Sequence, residues 1–299
     1  MPVPVAPVPE LLRGLVDDAA VLPPGEAPLE AAVREHAGHR RSTYAAVLGS
    51  FAVLDRALPR LVEAVAAVSP DRPLPVTVVV SGGAGALQPA VAWATRSERL
   101  ALRSVVLAVR ESDAGDLAPN ARRIVTAADA LVAGGALDED VTVHLEPPRL
   151  HGAAPSASWL GVLDEVAAAD LRLTLRAGGA DGAGSPGAQE LATCMVAALD
   201  RELAFTCTGG PHRAVRHRDH AGCSAGHGLL NVLAGTRAAL DGAGPADVAA
   251  ALEEQDPSRL LQDTEALASA RRWFRSFGSC DVPGTLADLT ALGLLVPGS

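Results

Sequence analysis

The sequence predicts an α/β barrel of the (β/α)8, TIM type: eight strand-helix units closed on themselves, with one extra helix at the N-terminus. Three observations carry that expectation. Short β-branched or apolar runs alternate with Ala/Leu-rich stretches of helical periodicity along most of the chain, and strands that alternate with helices build a parallel sheet covered on both sides. Counting the weaker runs gives eight strands, which favours a closed barrel over an open doubly wound sheet. Nearly every residue that follows a strand is polar or glycine, as turn chemistry at one end of a parallel sheet requires.

The elements are expected in this order. A proline-rich lead and an apolar stretch at 11–16 precede Asp17-Asp18-Ala-Ala-Val-Leu-Pro-Pro-Gly25, and a helix follows at 28–41 with Pro28 at its first turn. Residues 1–47 are therefore read as a loop and helix laid over the barrel, within a single domain spanning 1–299. Strands are expected at 48–53, 75–80, 104–109, 141–145, 171–175 and 203–207, separated by helices at 56–68, 87–97, 120–137, 158–169 and 188–201. The last third is less regular. Helices at 229–240, 246–254 and 286–292 flank a weak seventh strand at 259–261 and a stronger eighth at 273–277.

Composition narrows the function classes. The 299 residues are 48% hydrophobic but only 3% aromatic, so Ala, Val and Leu must fill the interior. A net charge of −10 argues against nucleic acid or an anionic membrane surface as partner. All 25 basic residues are Arg, and without a lysine amine neither a Schiff base nor a Walker-type phosphate loop is available. Cys194, Cys207, Cys223 and Cys280 follow no disulfide framework, which fits reduced thiols and a cytoplasmic protein. The N-terminus has no basic signal region, and no apolar run reaches the length of a membrane span. The acidic surface and Ala/Leu-rich helices also allow a homodimer.

In a barrel of this kind, chemistry belongs to the residues just after each strand. They are Asp55, Ser81-Gly82-Gly83, Arg110-Glu111, Glu146, Arg176-Ala-Gly178-Gly179, Thr208-Gly209-Gly210 with His212, and Gly278-Ser279-Cys280. Backbone amides freed at Gly-Gly pairs can surround an oxyanion, and Arg110 and Arg176 beside them make a carboxylate or phosphate the natural ligand. The expected binding set is Arg110, Ser81, Gly82, Gly83, Gly178, Gly179, Thr208, Gly209, Gly210 and Ser279. Strand-ending glycines in a Gly-rich protein are the plainer account of the same pattern. Arg176 stands apart, because a charge at the inward end of a buried strand needs a partner, either Glu146 or a substrate.

Residues 203–231 concentrate imidazoles in one loop: His212, His217, His220, Cys223 and His227, interleaved with Arg213, Arg216 and Arg218. General acid/base work by His212, directly after a strand end and a Gly-Gly turn, is the favoured reading. A zinc or other divalent metal held by His217, His220, Cys223 and His227 is the alternative, although the spacing matches no structural finger and the arginines would oppose a cation. No cofactor is otherwise predicted. His36 and His39 read as surface or packing residues, His144 as a core histidine, and Cys280 as a structural thiol.

The segments Asp17 to Gly25 with His36 and His39, Arg176-Ala-Gly-Gly179, Thr208-Gly-Gly-Pro-His212, His227-Gly-Leu-Leu-Asn-Val232 and Phe274-Arg-Ser-Phe-Gly-Ser-Cys280 resemble a family of uncharacterised bacterial proteins. The resemblance spans almost the whole chain and implies a scaffold, with no established activity. It also implies lysines at the positions of Thr174 and Thr206, and a second histidine where Arg213 stands. The expected function is an enzyme acting on a small anionic metabolite by general acid/base chemistry of the lyase, isomerase or cyclase type, with His212, Glu146 and Arg176 as catalytic residues. A specialised biosynthetic role would suit it. A metal-dependent hydrolase built on loop 212–227 and a catalytically silent small-molecule-binding barrel are the alternatives.

Overall fold

The computed structural model of the protein describes residues 7–68, 71–110, 116–152, 154–178, 185–209, 213–216 and 226–296. Its parallel strands close into a barrel in sequence order, each bonded to the next and the last to the first. They are β1 (Val16–Asp18), β2 (Leu48–Leu54), β3 (Leu74–Val80), β4 (Leu100–Ala108), β5 (Thr142–Glu146), β6 (Arg172–Arg176), β7 (Phe205–Thr208) and β8 (Phe274–Ser279). Around them run α1 (Leu29–His39), α2 (Leu58–Val68), α3 (Ala84–Thr95), α4 (Ala118–Ala133), α5 (Ala157–Ala168), α6 (Ala188–Leu199), α7 (Leu229–Leu240), α8 (Pro245–Glu253), α9 (Pro257–Leu260), α10 (Thr264–Ala270) and α11 (Val282–Ala291). The fold is thus a (β/α)8 TIM-type barrel. No helix among the described residues is long and apolar enough to cross a membrane.

Three element assignments differ from expectation, one of them α10, a helix where none was expected. The stretch before residue 48 supplies a barrel strand, β1, which pairs with both β2 and β8, so α1 follows the first strand and packs on α2 in the outer ring. With three residues and two aspartates, β1 has no apolar run to reveal it. Its side chains are satisfied from opposite sides: Asp17 by Ser50 and Ser276 inside the barrel, Asp18 by His36 of α1 outside it. The weak strand expected at 259–261 falls in α9 instead. Asp256 accepts a hydrogen bond from the Ser258 amide at 2.8 Å and Pro257 occupies the first helical turn, both of which are helix-start chemistry.

The apolar core lies between barrel and helices, and the barrel's interior is something else. β3 shows the division: Val76, Val78 and Val80 are buried under the helices, while Pro75, Thr77 and Val79 face inward and line a cavity. Outward positions elsewhere are Leu, Val or Phe, among them Phe51, Phe205 and Phe277, all essentially inaccessible. Most inward positions are small or polar: Ser50, Ala52, Thr77, Ser104, Thr206, Ser276 and Gly278 line the cavity, with Leu54, Val79 and Val106 as aliphatic exceptions. Branched aliphatic side chains ordinarily plug a barrel of this size. With Ser, Thr, Ala and Gly at most of those positions instead, the lumen stays hollow.

Candidate functional site in the barrel lumen

The hollow is a cavity of about 670 Å³ whose lining runs from Gly14, Arg103 and Arg172 at the N-terminal ends of the strands to Glu146, Arg176, Thr208 and Gly209 at the C-terminal ends. Leu22, Pro23 and Pro24 of the β1–α1 loop close part of the C-terminal side. A chain of hydroxyls crosses the middle: Ser50 Oγ lies 2.5 Å from Thr77 Oγ1, which lies 2.6 Å from Ser104 Oγ. Thr174 and Thr206 meet across β6 and β7 at 3.1 Å. Short side chains at these two positions help to leave the lumen open.

At one end of the hydroxyl chain stands Asp17. Its Oδ1 accepts from the Ser50 amide at 2.6 Å and from Ser50 Oγ at 2.8 Å, and Ser276 Oγ donates to Oδ2. A Cβ on Gly49 would come within 2.3 Å of Oδ1, so only glycine lets the carboxyl lie there. Burial pushes the Asp17 carboxyl up, and the serine hydrogen bonds and the Arg271 charge only partly oppose this. His144, on the inward face of β5, contacts the Leu173 carbonyl through Nδ1 at 3.3 Å, which places the ring proton there; burial holds its pKa down to about 4, so the ring is neutral.

At the C-terminal mouth, Arg176 donates to Glu146 Oε1 through Nε at 3.0 Å and through a terminal nitrogen at 2.8 Å. Both line the cavity, and Arg176 has the charged partner its buried strand position demanded. Thr208 Oγ1 is buried without a hydrogen-bond partner among the described residues. Gly209 has φ +63°, and a Cβ there would stand 2.9 Å from the Gly178 carbonyl, so glycine is required where these two turns meet. Cys280 also lines the cavity, with burial pushing its thiol up to about 11, so it is a protonated thiol at neutral pH.

The other sequence candidates lie as follows. Ser81, Gly82, Gly83 and Arg110 form a rim beside the cavity and are not part of its lining. There Ser81 is tied to Asp55 through its amide at 3.0 Å and its hydroxyl at 2.8 Å, and Arg110 donates to the Ser81 carbonyl at 2.6 Å. Ser279 points away from the lumen, 3.1 Å from Thr285 Oγ1, in the turn that starts α11. His212, His217, His220, Cys223, Gly179 and Gly210 lie outside the described residues.

His227 is fully buried, with Nε2 donating to the Pro186 carbonyl at 2.9 Å and Nδ1 accepting from Arg216 at 3.0 Å. Its one lone pair is thus spent on a cation. Asn231 anchors the same region by accepting from the Arg216 amide at 2.7 Å and donating to the Ala251 and Glu254 carbonyls. Among the described residues no group of three or more His, Cys, Asp or Glu side chains is placed to hold a metal ion. His36, expected at the surface or in packing, is buried with Nδ1 2.9 Å from Asp18 Oδ2, and it ties α1 to β1.

Sequence reading missed Asp17, the lumen-facing role of His144, the hydroxyl chain, and the arginines Arg40, Arg103, Arg172 and Arg275 that line the lumen's N-terminal end. A signal was present: Ser50, Thr77, Ser104, His144, Thr174, Thr206 and Ser276 put one polar residue near the middle of seven successive strands. No protein-family model matches the chain, and no curated protein matches it significantly.

Proposed function

We propose that the protein is an enzyme acting on a small anionic metabolite held in the barrel lumen, by general acid/base chemistry of the lyase, isomerase or cyclase type. One observation carries this reading. The described residues lining the cavity include five arginines and two carboxylates, a net of three positive charges with His144 neutral, inside a chain whose net charge is −10. A surplus so opposed to the rest of the molecule favours a carboxylate or phosphate ligand.

In this reading Arg176 orients the substrate anion and holds Glu146, and Glu146 takes or returns a proton at the neighbouring substrate atom. His212, three residues beyond Gly209, is the second acid/base group. Asp17, whose carboxyl pKa burial raises, stands deeper in the lumen. Native mass spectrometry of the protein purified without a histidine tag tests the ligand class: a co-purifying organic acid or phosphate supports it, and a stoichiometric zinc ion moves the chemistry to the loop 212–227. Once a substrate is in hand, Glu146→Gln and His212→Ala must each slow turnover by about a hundredfold or more. Undiminished turnover in both variants refutes the assignment, and ligand binding without any turnover identifies a silent binding barrel.

A further inference from the structure

Four arginines converge on the N-terminal mouth of the lumen, the end opposite Glu146 and Arg176. Arg40 follows the last residue of α1, Arg103 sits at the register shift between β3 and β4, and Arg172 and Arg275 lie at the start of β6 and β8. The shift inserts Arg103 between Leu102 and Ser104, and a bulge of this kind re-aims a side chain, here into the cavity. All four line the same cavity. None of them has a carboxylate within salt-bridge distance among the described residues, whereas Arg149 and Arg176 are each fixed on a glutamate. Burial first, then the charges of Arg72 and Arg103, holds the Arg40 pKa down; burial and Arg275 do the same to Arg172, with Asp170 opposing them only in part.

Cations gathered in a part-buried mouth repel one another and oppose folding unless an anion supplies the counter-charge. Asp17, the carboxylate nearest along the lining, is already engaged by Ser50 and Ser276. We propose that this mouth is a binding site for a multiply charged phosphoryl oxyanion, a phosphate monoester or diphosphate, that enters from the N-terminal end of the barrel. Guanidinium forks match phosphate oxygens two at a time, and four of them exceed what a single carboxylate can use. Ser50, Thr77 and Ser104 stand above the arginines with hydroxyls for the remaining oxygens. The five-residue β6 carries Arg172 at its first position and Arg176 at its last, about 13 Å apart along the strand. Arg176 is already fixed on Glu146 at the far end, so this site is argued apart from the function proposed for the C-terminal mouth.

Isothermal titration of the full chain with inorganic pyrophosphate at low ionic strength tests it, using wild type, the double variant Arg103→Gln/Arg172→Gln, and Arg176→Gln. Wild type is expected to bind saturably and more weakly as NaCl is raised. The double variant is expected to bind at least about tenfold more weakly. With like charges removed, its Tm in pyrophosphate-free buffer should equal or exceed that of wild type, and its pyrophosphate-induced rise in Tm should vanish. If the double variant does not fold, the single variant Arg275→Gln replaces it, with the same loss of the pyrophosphate response expected. Absence of saturable wild-type binding at millimolar pyrophosphate overturns the proposal, as does equal binding by wild type and the double variant. Binding lost only in Arg176→Gln places the anion at the C-terminal mouth, which supports the proposed function while overturning this site. Saturable binding of citrate with none of pyrophosphate overturns the phosphoryl class.

Discussion

The two ends of the lumen are furnished with the same cation and treat it in opposite ways. At the C-terminal end Arg176 is fixed on Glu146, and just outside the cavity Arg149 is fixed on Glu190 with nitrogen–oxygen distances of 2.9 and 3.2 Å. At the N-terminal end Arg40, Arg103, Arg172 and Arg275 face one another without such partners among the described residues. A ligand at the first end must compete with an existing ion pair, so selectivity and geometry dominate there. At the second end a ligand meets two half-buried arginines, Arg40 and Arg172, and two exposed ones, Arg103 and Arg275, so electrostatic attraction dominates and salt should oppose it.

The largest effect that would sharpen this contrast is Arg149→Ala. Glu190 is 7% exposed at its side chain, and removing its partner strands a buried charge, so a loss of about 3–5 kcal/mol in urea unfolding is expected. A loss below about 1 kcal/mol would show that the pair is not held as described. Burial acts to raise the Glu190 carboxyl, but the Arg149 hydrogen bonds and the His151 amide outweigh it and leave the pKa lowered. Stability from this pair is therefore present above the ordinary carboxylate range and lost as pH falls through the lowered value.

Next comes the pH dependence of the lumen. With His144 at about 4 when folded and near 6.5 when unfolded, the unfolded chain binds the extra proton between those values. Stability should fall by about 3 kcal/mol as pH drops from 6.5 to 4, with His39 and His227, also lowered by burial, acting in the same direction. His144→Gln should flatten this slope, and an unchanged slope would remove His144 from the account. Asp17 acts in the opposite sense. Its raised carboxyl makes the fold lose stability as pH rises above the unfolded aspartate value, a loss that Asp17→Asn should abolish.

Arg176→Ala should cost less than Arg149→Ala, about 2 kcal/mol, because its side chain is 30% exposed and Glu146 keeps access to water in the cavity. The smallest effect is expected at the opposite mouth, where Arg275→Gln should leave Tm unchanged or slightly raised at low ionic strength. A marked fall in Tm would show that Arg275 is structural, and the contrast between the two ends would fail.

Much of this protein was legible in the chain, and where legibility stopped has physical causes. β3, β4 and β7 announced themselves as β-branched or apolar runs, and α7 and α8 as Ala/Leu-rich helical stretches, α7 closed by a glycine turn at Gly242. β1 did not, since three residues cannot show a period and its two aspartates argue for a loop. It is a strand because β2 and β8 pair with it on both sides. The run at 259–261 looked apolar enough for a strand, but Asp256 and Pro257 start a helix there. Glu146 and Arg176 were found because a charge closing an inward strand position demands a partner, and the barrel puts them on neighbouring strands. His227 could not be classified, because only the packed structure brings Pro186 and Arg216 to its two ring nitrogens.

By itself, then, the sequence determined the alternation of strands and helices and the ban on lysine chemistry, because these rest on local periodicity and residue type; its count of eight strands held only because the missed β1 offset the strand expected at 259–261. Only the tertiary structure decided that the inward faces leave a hollow and that its arginines gather at one end. Inward and outward positions differ by a single residue along a strand, so which polar side chains meet depends on barrel register, set by pairings between distant segments.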